Sequence, residues 1–230
     1  MSFVITMQND TKRSPNHQLI SYFQQNLLLW YSESGRDLPW RHTSDPYHIL
    51  VSEIMLHQTQ VERVLPKYLQ WIQTYPSFQS LATASLSEVQ ELWRPLGYNF
   101  RPIRLYEIAQ RVINEFNGQL PSTVDELMAI KGIGRYTAGA ILSFAFHEDA
   151  PMVDTNIRRV IQRIFDIKGN SLRAPAKNLI WLLAEKLIPP GQAHIFNQAI
   201  MDFGALICVA RNPECQTCFM KNLCRFHSCT

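Results

Sequence analysis

The chain carries five cysteines, and four of them, Cys208, Cys215, Cys218 and Cys224, crowd its C-terminal end in the pattern C-x6-C-x2-C-x5-C. No cysteine precedes Cys208, so the thiols belong to one local event. The chain around them has to fold as a loop that brings the four together. Four thiolates complete one metal site, and a [4Fe–4S] cluster takes four cysteines. Zinc also accepts four, but usually as two C-x2-4-C pairs, and here only Cys215/Cys218 is that short. Disulfides are the third possibility. Cys229 is left over, and an odd thiol together with a start that lacks a secretion signal counts against them. Spacing alone leaves iron–sulfur, zinc and disulfides open, favoured in that order.

At 230 residues there is room for one large domain or two small ones. A hydrophobic fraction of 46% is ordinary for a globular protein. No apolar run approaches the ~20 residues of a membrane span. The opening MSFVITMQNDTKRSPN has no basic region followed by an apolar core, so residues 1–17 read as a loose polar arm of a cytoplasmic protein. The net charge of +3 suits a polyanion partner without pointing to one.

Most of the chain reads as helix. Asp45-Pro46 is a helix start, with Asp as N-cap and Pro at the first position, and the helix runs to about Gln58. Val61, Val64, Leu65, Tyr68, Leu69 and Ile72 recur at the 3–4 spacing of one amphipathic face. Ser85-Leu86-Ser87-Glu88 reads as a capping box. Other helical stretches are 18–31, 101–117, 123–130, 134–146, 154–165, 175–187 and 195–208, punctuated by Gly and Pro. No alternating run reads as a strand. The predicted class is all-α, with about ten helices.

Three segments carry candidate chemistry. In Ile130-Lys131-Gly132-Ile133-Gly134-Arg135-Tyr136-Thr137, two glycines let the backbone turn tightly between two helices. Such a hairpin aims amide N–H groups at an anion, and Lys131 and Arg135 add charge beside them. An ordinary helix–helix turn has the same Gly-x-Gly, so the motif gains weight only from the adjoining Tyr136-Thr137-Ala138-Gly139. Asp154 lies in Val153-Asp154-Thr155-Asn156, at a helix start, where it is either an N-cap or a substrate-facing carboxylate. Glu53 sits among Ile49, Leu50, Ile54 and Leu56 on a largely apolar helix. Desolvation there raises a carboxyl pKa and suits a general acid, although a thin exposed stripe accounts equally well for one glutamate. His57 has no second histidine at helical spacing and reads as a groove residue.

In this order, the three segments and the cysteine loop resemble the helix-hairpin-helix (HhH-GPD) DNA glycosylases that carry a [4Fe–4S] cluster. The likeness covers about residues 18–226 and is strongest to the catalytic part of the adenine glycosylase (MutY) branch. It includes Leu38-Pro39-Trp40-Arg41, Ser52-Glu53-Ile54-Met55-Leu56, Gln58-Thr59-Gln60-Val61, Leu96-Gly97-Tyr98, Thr137-Ala138-Gly139-Ala140 and Phe196-Asn197-Gln198-Ala199-Ile200-Met201-Asp202.

The resemblance implies a two-lobed fold. Residues 18–44 and 151–207 form one lobe, 45–150 the other, and 208–224 a cluster loop held by Cys208, Cys215, Cys218 and Cys224. It implies a monomer acting on double-stranded DNA with a mismatched or damaged pair, whose target base is flipped into the cleft. Glu53 then matches the acid that protonates the leaving base, and Asp154 the carboxylate that supports the sugar cation. Asn156 matches a polar residue beside them. Tyr136 stands where a bifunctional branch has lysine; with no amine for a Schiff base, the implied enzyme is monofunctional. Gln58, Thr59 and Tyr98 match residues that enter or wedge the DNA stack, and Lys131, Gly132, Gly134, Arg135 and Thr137 match the hairpin that grips it.

Three positions depart from the usual pattern: His57 replaces a glutamine, Asn99-Phe100-Arg101-Pro102 replaces Tyr-Ala-Arg-Ala, and Lys131 replaces a proline. The sequence stops just after the cysteine loop, so a separate 8-oxoguanine-reading domain is expected to be absent. A thymine/uracil mismatch glycosylase of the same superfamily is the second expectation, and a non-catalytic iron–sulfur DNA-binding protein the third.

Overall fold

The computed structural model describes residues 17–227 and is helical, with eleven α-helices and two short 3-10 turns among the described residues. The rest of the arm expected at 1–17, and Cys229, lie outside that range; His17 opens the first helix. The all-α expectation holds, with helix ends no more than three residues from those read in the sequence.

α1 (His17–Ser34) leads through a 3-10 turn (Pro39–Arg41) to α2 (Pro46–Leu56). The Asp45 carboxylate caps α2 by accepting from the amide of Tyr47 at 2.8 Å, and Pro46 fixes the first turn. Then come α3 (Val61–Thr74), α4 (Phe78–Ala82), α5 (Leu86–Trp93) and α6 (Phe100–Glu115). α4 is absent from the sequence reading; five residues are too few to show a period, but Ser77 and Ser80 cap each other reciprocally there. The expected capping box at Ser85 is half made. Its hydroxyl accepts from the Glu88 amide, but it also donates to the Glu88 carboxylate, which does not return to the Ser85 amide.

α7 (Val124–Ala129) and α8 (Arg135–Phe144) flank the hairpin, and α9 (Thr155–Ile164), α10 (Ala176–Leu187) and α11 (Ala193–Leu206) complete the helices. α2 packs on α3, α6 and α8, and α4 and α5 pack on α6. α11 packs on α1 and α9, with α10 against α9; α8 also meets α11. One continuous apolar core runs through all of them.

Two glycines set where α9 begins. A Cβ on Gly139 of α8 would stand 2.2 Å from the Pro151 carbonyl oxygen, and one on Gly204 of α11 would stand 2.8 Å from the Asn156 Cβ. Only glycine allows these approaches, and they bring the start of α9 against both α8 and α11.

Candidate functional site

Glu53 lies on α2, and because that helix is buried nearly all round, the carboxyl is only 3% exposed. Burial raises its pKa to about 7; a hydrogen bond from Tyr136 opposes the rise, nearby Asp154 adds to it, and Arg41 opposes it. Near neutral pH the group is therefore about half protonated. Tyr136, in the first turn of α8, donates its hydroxyl to Glu53 Oε2 at 2.5 Å. Burial and then the Glu53 charge push the phenol well above its ordinary value, so it remains a donor. The neighbouring His57 ring, 5.9 Å from the Tyr136 ring, is kept neutral by burial and by Arg101 and Arg104.

Asp154 meets the first of its sequence alternatives. It is the N-cap of α9, accepting from the Ile157 amide at 2.7 Å, and it is close enough to Glu53 to perturb it. Burial raises its pKa, opposed by the Ile157 and Asn156 amides, the Asn156 side chain and Arg159. The Asn156 amide nitrogen donates to Asp154 Oδ2 at 3.0 Å, and Arg159 fixes that amide by donating to Asn156 Oδ1 at 2.9 Å. Arg159 also donates to the carbonyls of Gly204 and Cys208, at 2.6 and 2.8 Å.

Beside Glu53 opens a pocket with an empty volume of about 330 Å³, walled by Trp40, Phe144 and Met201 and carrying the polar groups of Arg41 and Gln198. Trp40, Arg41, Gln198 and Met201 belong to motifs identified in the sequence without a role, whereas Phe144 belongs to none of them. Arg41 grips the fully buried Asp202 bidentately at 2.7 and 2.8 Å, and Arg36 binds the same carboxylate. Burial alone would raise the Asp202 pKa; the two arginines outweigh it and hold the carboxyl below its ordinary value. Tyr31 donates to Gln198 Oε1 at 2.7 Å. The pocket's polar groups are thus fixed before anything enters it.

The expected DNA-facing residues divide. Gln58 and Tyr98 are exposed, both in left-handed backbone conformations with φ of 58° and 52°. Lys131 is exposed on the hairpin, where Gly132 turns the chain at φ 107° and Gly134 caps α8. Arg135 is exposed at the start of α8, with its guanidinium 4.0 Å over the Trp181 ring of α10, a cation–π contact that leaves its charge in place. Two others differ from expectation. Thr137 is 3% exposed inside α8 and serves packing. The Thr59 hydroxyl accepts from Arg101 at 3.0 Å instead of standing clear.

Cys208, Cys215, Cys218 and Cys224 line one cavity with an empty volume of about 370 Å³, walled by Phe203, Met220 and Phe226. Among the described residues no three ligand-type side chains converge on a single ion. Four thiols ringed around a cavity suit a polynuclear centre better than one zinc ion. Sulfur acceptors already have donors: the Met220 amide reaches Cys218 Sγ at 3.4 Å, and Arg163 reaches Cys208 Sγ at 3.5 Å. Burial pushes the Cys218 thiol up to about 11, so thiolates here need a cation to balance them.

Residues 51–188 match the HhH-GPD superfamily base excision DNA repair proteins, and residues 208–224, the stretch that holds the four cysteines, match the iron-sulfur binding domain of endonuclease III. The mouse adenine DNA glycosylase is 41% identical over 215 residues, covering 90% of this chain and 42% of that protein. The chain thus spans less than half the length of the mammalian relatives it matches. The thymine/uracil-DNA glycosylase of Methanothermobacter thermautotrophicus is 37% identical over 206 residues, covering 89% of this chain and 93% of that protein. A solved thermostable thymine-DNA glycosylase superimposes with a TM-score of 0.85 at 36% identity, over 93% of this chain and 98% of that one. A non-covalent endonuclease III–DNA complex shares the fold, with a TM-score of 0.80 at 23% identity over 94% and 98% of the two chains. The match over the helices and the match over the cysteine loop agree: this chain belongs to the HhH-GPD superfamily of base excision DNA repair proteins.

Proposed function

We propose that the chain is a monofunctional DNA N-glycosylase that flips a base from duplex DNA and hydrolyses its N-glycosidic bond, with adenine opposite 8-oxoguanine or guanine as the target. One observation carries the reading. A buried glutamic acid poised near neutral pH, held by a tyrosine and close enough to a second carboxylate to be perturbed by it, lines a pocket.

The division into two lobes, 45–150 against 18–44 with 151–207, gains support from helix packing that groups in the same way, and duplex DNA is the partner the cleft would grip. The flipped base enters the pocket beside Glu53. Protonated Glu53 gives its proton to a ring nitrogen of the departing base as the C1′–N bond breaks, so the base leaves neutral. Ionised Asp154 lies against the sugar and supports its developing positive charge. Water then adds its oxygen to C1′ and loses a proton. Asn156 and Tyr136 act by holding the two carboxyls in place. Tyr136 offers no amine, so base loss is not coupled to strand cleavage. Gln58 and Tyr98 face the opened duplex, and Lys131 with the amides around Gly132 and Gly134 meets phosphate.

The acid favours adenine. A purine has basic ring nitrogens that can take the proton of a neutral carboxyl as the base leaves. The second reading, thymine or uracil opposite guanine, is favoured by the near full-length match to the thymine/uracil enzyme. Single-turnover assays on duplexes with A opposite 8-oxoG, A opposite G, T opposite G and U opposite G separate the two. Alkali-labile product from the adenine duplexes is expected. Product from the thymine or uracil duplexes alone replaces the adenine reading, and no product from any of them removes the enzyme reading.

A further inference from the structure

Arg101 is a buried cation that the proposed chemistry leaves unused. It is 2% exposed, and its guanidinium makes six hydrogen bonds, all to neutral acceptors. Nη1 donates to the carbonyls of Ile54, Met55 and His57 at 3.2, 2.9 and 2.5 Å. Nη2 donates to Thr59 Oγ1 and to the carbonyls of Leu96 and Gly97 at 3.0, 3.3 and 3.2 Å. The rings of Trp93 and Tyr98 lie 5.3 and 5.1 Å from its central carbon.

A buried cation without a carboxylate is costly, and a well-packed apolar side chain would fill the same space without that cost. Its placement is therefore informative. Three of its acceptors are at the C-terminal end of α2, the helix that bears Glu53, where the dipole is negative. The His57 carbonyl and the Thr59 hydroxyl bracket Gln58. The Leu96 and Gly97 carbonyls immediately precede Tyr98. Gln58 at φ 58° and Tyr98 at φ 52°, with Gly97 at φ 71°, are the left-handed positions of these two turns. Side-chain-bearing residues hold such conformations only where their surroundings over-determine them. Nε is buried without a partner, so the guanidinium is oriented by its two Nη groups even at the expense of its third donor site. A planar fork spans acceptors on two chain segments, 54–59 and 96–97; a lysine ammonium has neither the donors nor the geometry.

We propose that Arg101 is a positioning residue that locks the Gln58 turn and the Gly97–Tyr98 turn to each other and to the end of the Glu53 helix. The two exposed side chains then meet an opened duplex at a fixed separation from the acid. The functional half of this inference rests on the proposed glycosylase reading; the mechanical half does not.

The test is hydrogen exchange by mass spectrometry on the DNA-free, cluster-loaded protein, wild type against Arg101→Lys. Peptides covering 56–60 and 95–99 are expected to exchange together at least about tenfold faster, with the hairpin and α9–α11 unchanged. Uniform acceleration along the chain, or loss of protection in one turn alone, overturns the proposal. Thr59→Val removes one acceptor on the first turn and serves if the lysine variant does not fold. It is expected to speed exchange at 95–99, on the other turn, at least about threefold, and no change there overturns the proposal. The companion readout uses a duplex with A opposite 8-oxoG. Arg101→Lys is expected to lower the single-turnover rate at saturating protein at least about tenfold, with the pH at which the rate falls unmoved, because Glu53 keeps its surroundings. If the exchange result holds and wild type cleaves nothing, the clamp stands and the glycosylase reading fails.

Discussion

Replacing Tyr136 by Phe deletes one hydroxyl and little else. That hydroxyl donates to Glu53 Oε2 at 2.5 Å and lowers the acid's pKa against the larger effect of burial. A hydrogen bond to a buried ionised group contributes roughly 1.5–3 kcal/mol, and about 1.4 kcal/mol corresponds to one pKa unit. Without it, Glu53 should rise from about 7 by a further one to two units, to roughly 8–9. The sign follows from which form is favoured: the phenol stabilises the carboxylate, so its loss favours the neutral acid. A general acid works while protonated, so the single-turnover rate falls as pH rises through its pKa. The falling limb should lie near pH 7 in wild type and one to two units higher in Tyr136→Phe. At pH 8.5 a group of pKa 7 is only about 3% protonated and one of pKa 8.5 about half, so the variant should outpace wild type there by roughly tenfold. The assay is single-turnover cleavage of a duplex with A opposite 8-oxoG from pH 5 to 9.5, with circular dichroism at each pH. A limb that stays at its wild-type position, or moves to lower pH, refutes the assignment of Glu53 as the acid tuned by Tyr136.

The same geometry sets the outcomes of other substitutions. Asp154→Asn keeps an equally good N-cap, so the melting temperature should barely change while base release falls by about 10³-fold or more, as single-turnover rates and thermal melts would show. Lys131→Ala and Arg135→Ala should each flatten the plot of log affinity against log salt by about one unit for one lost phosphate contact, because both cations are exposed beside the hairpin; an unchanged slope in both variants contradicts this. Gly139→Ala places a carbon 2.2 Å from the Pro151 carbonyl oxygen and should destabilise the fold by about 1–3 kcal/mol in urea titrations while displacing Asp154, so full activity with normal stability contradicts the packing.

The helical class was legible because caps and 3–4 spacing are local: Asp45-Pro46 opens α2 as read, and α3 buries Val64 and Tyr68 from the face identified in the sequence. Burial of Glu53 was legible as an alternative because its neighbours on α2 are apolar; the partner that makes the burial useful, Tyr136, is 83 positions away. Long-range pairing is what sequence could not supply. Arg41 binds Asp202 across 161 positions, and both lay inside quoted motifs without any local sign that they meet. The Trp181 ring beneath Arg135 was equally illegible, since it comes from α10. Thr137 was expected on the DNA face because it comes directly after the hairpin, but one more helical step turns it into the core. Arg101 appeared only as the one residue retained where Asn99-Phe100-Arg101-Pro102 replaces Tyr-Ala-Arg-Ala, with no sign that its acceptors lie on two separate segments.

The central claim is that two buried carboxyls release a base without cutting the strand. Chromatography of the products from one turnover on a duplex with A opposite 8-oxoG tests this most directly. The account predicts free adenine equimolar with abasic sites, and a sugar–phosphate backbone that stays intact until alkali is added. Strand breaks that appear with base loss before alkali, or cleaved strand without free base, contradict it.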